Sequence, residues 1–256
     1  MKRQPPRILF YDLETLQNIV ATWGIFDQNV PFQNIMKERS IICGAFKFQG
    51  DKKIDVVSIS DNPRAFKKDP HNDKEVVTKI HAILSSADIL VAHNGDKFDL
   101  KYFNARAIFH GLAPIAPPRT VDTLKIARRH FRFNSNRLDY LGQFLGLGRK
   151  LKMGGDDWLA ILNGDLKACE KMAKYNKQDV LLLEAVYNKM LPWMTTHPNR
   201  STYEEKLCCP KCSSENFQAR GVTVTQSAKY RRYQCKDCGG WMQGKENIKS
   251  RLGTMK

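Results

Sequence analysis

Arg7-Ile8-Leu9-Phe10-Tyr11-Asp12-Leu13-Glu14-Thr15 is the stretch from which the rest of the chain can be read. Ile8 to Tyr11 run without a polar interruption, the signature of a strand covered on both faces, so a central strand is expected here. Where the run ends, Asp12 and Glu14 stand two apart, and the period of a strand points both carboxylates to one face. Carboxylates held that close repel unless a cation neutralises them. Taken alone, the pattern also suits two surface acids near a strand terminus.

Working outward, segments 41–48 and 54–59 are strand-like and joined through Gly50-Asp51, so they predict a hairpin beside the first strand. Residues 74–85 carry apolar side chains at helical spacing and lead into a strand at 88–92, a crossover onto a parallel neighbour. A second helix is expected at 98–109, with Phe98, Tyr102, Phe103 and Phe109 on its apolar side, stopped by Gly111 and the proline-rich loop 114–118. Further helices are expected at 122–131, 138–145, 157–163 and 166–191. Segments 24–39 and 61–73 look like irregular polar connections, of a length that often contributes to substrate grooves. Strands first, then alternation with helices, predicts an α/β fold with a mixed sheet flanked by helices.

The 256 residues hold 42 Lys and Arg against 26 acids, a net charge of +16, which points to a polyanionic partner or a generally basic surface. Residues 208–256 are denser in positive charge than what precedes them. No apolar stretch approaches the ~20 residues of a bilayer span, and Met1 to Pro6 carry no signal core, so a cytoplasmic protein with no membrane partner is expected. Five of the seven cysteines fall within 208–238, which favours a metal in a reducing compartment over disulfides.

Two further acid-bearing segments accompany the first. Asp99 follows strand 88–92 and the polar turn His93-Asn94-Gly95-Asp96-Lys97-Phe98, at the start of a helix, where complementing the helix dipole is an alternative role. Tyr175 and Asp179 are four apart on a helix and share a face with Met172, Leu182 and Leu183. A carboxylate on a core-facing stripe needs a partner, and a metal is one. Acids at sheet ends and on a packing helix suit two divalent cations about 4 Å apart, and hard oxygen donors select Mg²⁺ or Mn²⁺.

Tyr11-Asp12-Leu13-Glu14-Thr15, Asn94-x3-Phe98-Asp99 and Tyr175-x3-Asp179 resemble the three motifs of the DEDD 3′-to-5′ exonucleases, whose domains have a ribonuclease-H-like fold. The histidine subclass places a histidine five before the last aspartate; that position is Lys174, and Tyr175 instead marks the DEDDy subclass. The second motif and Leu138-Asp139-Tyr140-Leu141 are most similar to proofreading domains of family-B DNA polymerases. The resemblance covers residues 7–192. It implies that Asp12, Glu14 and Asp179 hold the nucleophile-side metal and that Asp12 and Asp99 hold the other. Tyr175 would orient the attacking water, Thr15 and Asn94 would contact the terminal nucleotide, and Phe98 would line or stack near it unless it is core. Asp122 and Asp156-Asp157 read as helix caps. No polymerase segment accompanies the motifs, so proofreading in cis is not expected.

Cys209-Pro210-Lys211-Cys212 and Cys235-Lys236-Asp237-Cys238 are two knuckles around segments 221–225 and 230–233, whose alternation predicts a hairpin. The four thiolates suit one structural Zn²⁺, and the module resembles a zinc ribbon. Cys208 is the less favoured ligand beside Cys209, and Cys43 and Cys169 read as small buried apolar residues. Lys229, Arg231, Arg232 and Trp241 give the ribbon cations and a ring suited to phosphates and unstacked bases, although protein docking would also suit it.

The expected organisation is an exonuclease domain at 1–195, a linker at 196–207 and the ribbon at 208–256. The expected activity is metal-dependent 3′-to-5′ removal of nucleoside 5′-monophosphates, from single-stranded DNA before RNA. A structure-selective endonuclease and a nucleic-acid-binding protein without activity are the rival readings. A replication or repair protein as partner, and a phage origin with action in the host cytoplasm, fit the same architecture.

Overall fold

The structure, a computed structural model, describes residues 5–26 and 29–248. The expected lack of a signal core in residues 1–4, and the end of the ribbon segment at 249–256, lie outside the described residues. In chain order the strands and helices are β1 (Ile8–Leu16), β2 (Ile19–Val20), β3 (Ile35–Lys37), β4 (Ser40–Phe48), β5 (Asp55–Ser58), α1 (Pro63–Lys68), α2 (Lys74–Ser85), β6 (Ile89–Ala92), α3 (Asp99–Phe109), β7 (Arg119–Asp122), α4 (Thr123–His130), α5 (Leu138–Phe144), α6 (Gly155–Leu162), α7 (Leu166–Met190), β8 (Phe217–Val224), β9 (Lys229–Cys235) and β10 (Trp241–Asn247).

The main sheet has the order β5-β4-β1-β6-β7, so β1 is central as its double-sided apolar run requires. β4 pairs with β1 and with β5 in antiparallel sense, forming the expected hairpin, while β6 runs parallel to β1 and β7 parallel to β6. Alternation along β1 sorts its residues into two core layers. Leu9, Tyr11 and Leu13 pack with α2 and α3 residues such as Val77, Ile80 and Phe103. Ile8 and Phe10 pack with Val180, Leu183, Val186 and Tyr187 of α7, and the Phe10 and Tyr187 rings meet edge to face at 5.1 Å. Lys47 of β4 adds an ion pair to Glu184 of α7 at 2.7 Å, nearly buried.

Several elements differ from expectation. β7 had no signal of its own: it is four residues long, and its last residue, Asp122, already caps α4 by accepting the Leu124 and Lys125 N–H groups. Segment 61–73 contains α1, started by Pro63 and an Asn62 cap, and segment 24–39 contains β3, which pairs with β2. Phe98 and Phe109 are exposed rather than on the apolar side of α3. The buried side of that helix is occupied by Arg106, which forks onto Asp73 at 2.6 and 2.8 Å; this turns Phe109 outward, where the guanidinium lies 4.5 Å from its ring centroid.

β8, β9 and β10 form a separate antiparallel sheet, one strand more than the expected hairpin. Between it and α7, segment 192–206 contains a helical turn at Arg200–Tyr203. Arg200 donates from its backbone to the Pro210 carbonyl at 2.8 Å and from its guanidinium to Gln49 at 3.0 Å, and the Lys211 ammonium donates to the Pro192 carbonyl. Cys212 and Cys238 pack against the α7 core layer. Among the described residues, no helix is long and apolar enough to cross a membrane.

Candidate active site

Asp12 and Glu14 continue the β1 face that carries Ile8 and Phe10, so the strand period delivers them to α7. Their β4 partners in register, Ala45 and Cys43, lie on the same face. From the opposite side α7 contributes Asp179, fully buried, with Tyr175 one turn earlier. Carboxylate oxygens of Asp12, Glu14 and Asp179 lie within 4.8 Å of one another.

Asp99 is not part of that group. The β1–β6 register ends at Phe10, Asn94 turns the chain away with φ of 72°, and beyond this point the Leu13 N–H is taken by Asp99 Oδ1 at 3.1 Å. The turn depends on Gly95, since a Cβ there would stand 2.4 Å from that of Ala92. Asp122 holds the other side of the turn, accepting the Asn94 N–H at 2.9 Å in addition to capping α4.

Burial raises every carboxylate of the site, because desolvation disfavours the charged form. Asp12 lies well above the ordinary range through burial and the charges of Glu14, Asp99 and Asp179. Burial pushes Glu14 up to about 7 and Asp99 up to about 6, and it also raises Asp179. Burial likewise pushes the Tyr175 hydroxyl up to about 12.

Two residues absent from the sequence reading complete the geometry. The Lys150 ammonium stands 2.6 Å from Asp179 Oδ2 and 5.1 Å from the Tyr175 ring centroid. Burial acts to lower its pKa, but Asp179 and Tyr175 outweigh this and hold it above the ordinary lysine value. Lys150 sits in a loop without periodicity, fixed by its own N–H donating to Asp139 Oδ1 at 2.8 Å, so only the fold reveals it. The Asn176 amide donates to Asp12 Oδ2 at 2.6 Å while Cys43 donates to its carbonyl at 3.7 Å. Asn176 precedes Asp179 by three on the same helix, a spacing that would have flagged it.

The donor set fits hard divalent cations. It consists of buried or half-buried carboxylate oxygens gathered within 4.8 Å of one another, with Lys150 meeting part of their charge at Asp179. Next along β1, the Thr15 carbonyl accepts the Trp158 indole N–H at 3.2 Å, just past a bulge between Glu14 and Thr15. Phe98 lies beside the site, partly exposed and stacked on Tyr102 with centroids 6.1 Å apart.

Cys209, Cys212, Cys235 and Cys238 form the second group of possible ligands, their sulfurs within 4.8 Å of one another, with Cys208 outside it. The Cys209–Cys238 and Cys212–Cys235 sulfurs are 3.7 and 3.6 Å apart. That is close to the edge, about 3.8 Å, of a tetrahedron with Zn–S bonds of about 2.3 Å. Register divides the ribbon's cations. Trp241 opposes Gln234, and Arg232, two residues earlier, shares that face with its guanidinium 4.7 Å from the indole centroid; Lys229 and Arg231 alternate onto the other face.

Known proteins with related sequences and folds agree with this architecture. A DNA polymerase III PolC-type protein of Ureaplasma parvum is 30% identical over an alignment of 156 residues that covers 54% of this chain and 10% of that protein. The chain therefore spans about a tenth of that relative's length. The structure of a family B DNA polymerase from the archaeon Pyrobaculum calidifontis superposes with a TM-score of 0.56 at 14% identity, covering 90% of this chain and 33% of that one, a likeness of fold. The RNase_H_2 family model matches residues 9–191, and with β1 central in a mixed sheet and its acids facing α7, the chain belongs to the RNase_H superfamily.

Proposed function

We propose that the chain is a DEDDy-type 3′-to-5′ exonuclease that shortens single-stranded DNA and releases nucleoside 5′-monophosphates. The observation that carries this reading is the meeting of Asp12, Glu14 and Asp179 oxygens within 4.8 Å, on two elements, with Tyr175 one helical turn away. Asp12, Glu14 and Asp179 would hold one Mg²⁺ or Mn²⁺, and Asp12 with Asp99 a second. Bound there, the cations supply Lewis acidity that activates water and neutralises charge on the departing 3′ oxygen.

The chain's own groups do the positioning. Asn176 fixes one oxygen of Asp12, leaving the other to face the site. Tyr175 orients the attacking water, its hydroxyl remaining protonated because its pKa is pushed up to about 12. Thr15 and Asn94 contact the terminal nucleotide, and the exposed Phe98 ring stacks on its base. Water adds to the terminal phosphorus as the bond to the 3′ oxygen of the preceding nucleotide breaks, and that oxygen takes up a proton.

Residues 1–195 form the catalytic unit, 196–207 the connection, and 208–256 a zinc ribbon that adds grip on nucleic acid. The test uses 5′-labelled linear and circular single-stranded DNA, and linear RNA, with Mg²⁺ or Mn²⁺. Wild-type protein should give a ladder shrinking from the 3′ end of linear DNA, abolished by Asp12→Ala. Cutting of circles would make it an endonuclease, and preference for RNA an exoribonuclease.

A further inference from the structure

The strand that bears the two catalytic acids does not end in an ordinary loop. Immediately after β1, β2 and β3 pair into a two-stranded arm, Ile19 opposite Lys37 and Val20 opposite Ile35. Hydrogen bonds between Ala21 and Asn34, backbone to backbone at 2.9 Å and side chain to carbonyl at 3.1 Å, extend the pairing. Beyond them the arm presents Trp23, Ile25 and Phe32, all largely or wholly exposed, with Trp23 at 103% and Phe32 at 77%, and Met36 within β3 is also exposed. A large apolar group left bare in water costs free energy unless something covers it.

The foot of the arm is fixed. The Arg39 N–H donates to Asn18 at 2.6 Å, His71 meets the Gln17 carbonyl at 3.2 Å, and Lys37 pairs with Asp69 at 3.0 Å. The foot is also continuous with the nucleotide site. The Arg39 guanidinium lies 5.7 Å from the Tyr102 ring centroid and 6.0 Å from that of Phe98, and the Tyr102 hydroxyl donates to the Arg39 carbonyl. At about 3.3 Å per strand residue, Ile19 begins the arm within about 17 Å of Glu14. The exposed rings stand outward along the arm from a foot whose Arg39 lies beside the ring next to Asp99.

We propose that the arm is a second contact for the substrate strand, with Trp23 and Phe32 stacking on unpaired bases a few nucleotides in from the end held at Phe98. The occupant is a single-stranded nucleic acid, recognised through its bases rather than its phosphates. This rests on the exonuclease reading for the direction of the strand, but contact between arm and bases can be measured without hydrolysis.

Binding of a fluorescent oligothymidylate of about 20 nucleotides is followed by anisotropy, with every protein carrying Asp12→Ala. Adding Trp23→Ala and Phe32→Ala should weaken binding about tenfold or more, while the slope of affinity against salt stays the same, because stacking releases no counterions. Adding Trp23→Tyr and Phe32→Tyr instead should retain most of the affinity. An abasic strand of equal length should bind both proteins alike. Unchanged affinity of the alanine variant, equal weakening on the abasic strand, or a reduced salt slope would each overturn the proposal. Failure of wild-type protein to shorten the strand would overturn the exonuclease reading alone, since these affinities do not depend on turnover.

Discussion

Lys150 holds its ammonium 2.6 Å from Asp179, a carboxylate that would hold one divalent cation, so lysine and metal compete for it. Lys150→Met should therefore lower the Mg²⁺ concentration giving half-maximal thermal stabilisation. Turnover on single strands should nevertheless fall about tenfold or more, because a fixed cation beside developing charge is lost. Calorimetric titration and single-turnover assays check the two parts, and a weaker Mg²⁺ response would show that lysine supports rather than competes with the metal. The same carboxylates set a pH dependence. Glu14 rises from its ordinary 4.5 to about 7 and Asp99 from 3.8 to about 6. Across these windows the folded protein binds more protons than the unfolded chain, so stability is greatest below the unfolded values and falls as pH rises through the folded ones. Metal-free protein should thus lose melting temperature between pH 4.5 and 7, and Mg²⁺ should raise it more at pH 8 than at pH 5. An equal Mg²⁺ effect at both pH values would contradict the assignment.

Among the elements, β1 and α7 carry the site and the β6–α3 turn completes it. The turn is tight because Gly95 packs against Ala92, where an added Cβ would stand 2.4 Å away. Relief requires moving the turn and with it Asp99, which reaches Leu13 from the first turn of α3. Gly95→Ala should destabilise by about 1–3 kcal/mol in urea denaturation, the usual range for overpacking, and reduce activity more than that loss explains. The elements were unequally legible. β1, the β4–β5 hairpin, α2 and α7 announce themselves by periodicity. β7 does not, being four residues that end in their own helix cap, and α3 exposes Phe98 and Phe109, both expected on its apolar side, Phe109 because Arg106 takes a buried place through a distant partner, Asp73.

Over the whole molecule, the ribbon does more than hang from a tether. Cys212 and Cys238 lie against the same core layer as Val186, Met190 and Leu191, and Lys211 and Arg200 tie the two parts together. Stripping metal with a chelator should release the cysteine cluster, lower the melting temperature of the entire protein and weaken strand binding together. Melting of the ribbon alone, with the α7 side unchanged, would refute that coupling. Asp12, Glu14, Tyr175, Asp179 and the four knuckle cysteines were legible in the sequence, because strand period, helix period and Cys-x2-Cys spacing are local rules that fix which side chains share a face. Only the tertiary structure decided that Asp12, Glu14 and Asp179 meet while Asp99 stands beside them on Leu13, that Lys150 and Asn176 join from elsewhere, and that the arm opens beside Phe98. Those are contacts between elements, set by sheet order and by which face of α7 the core buries, and no local periodicity encodes them.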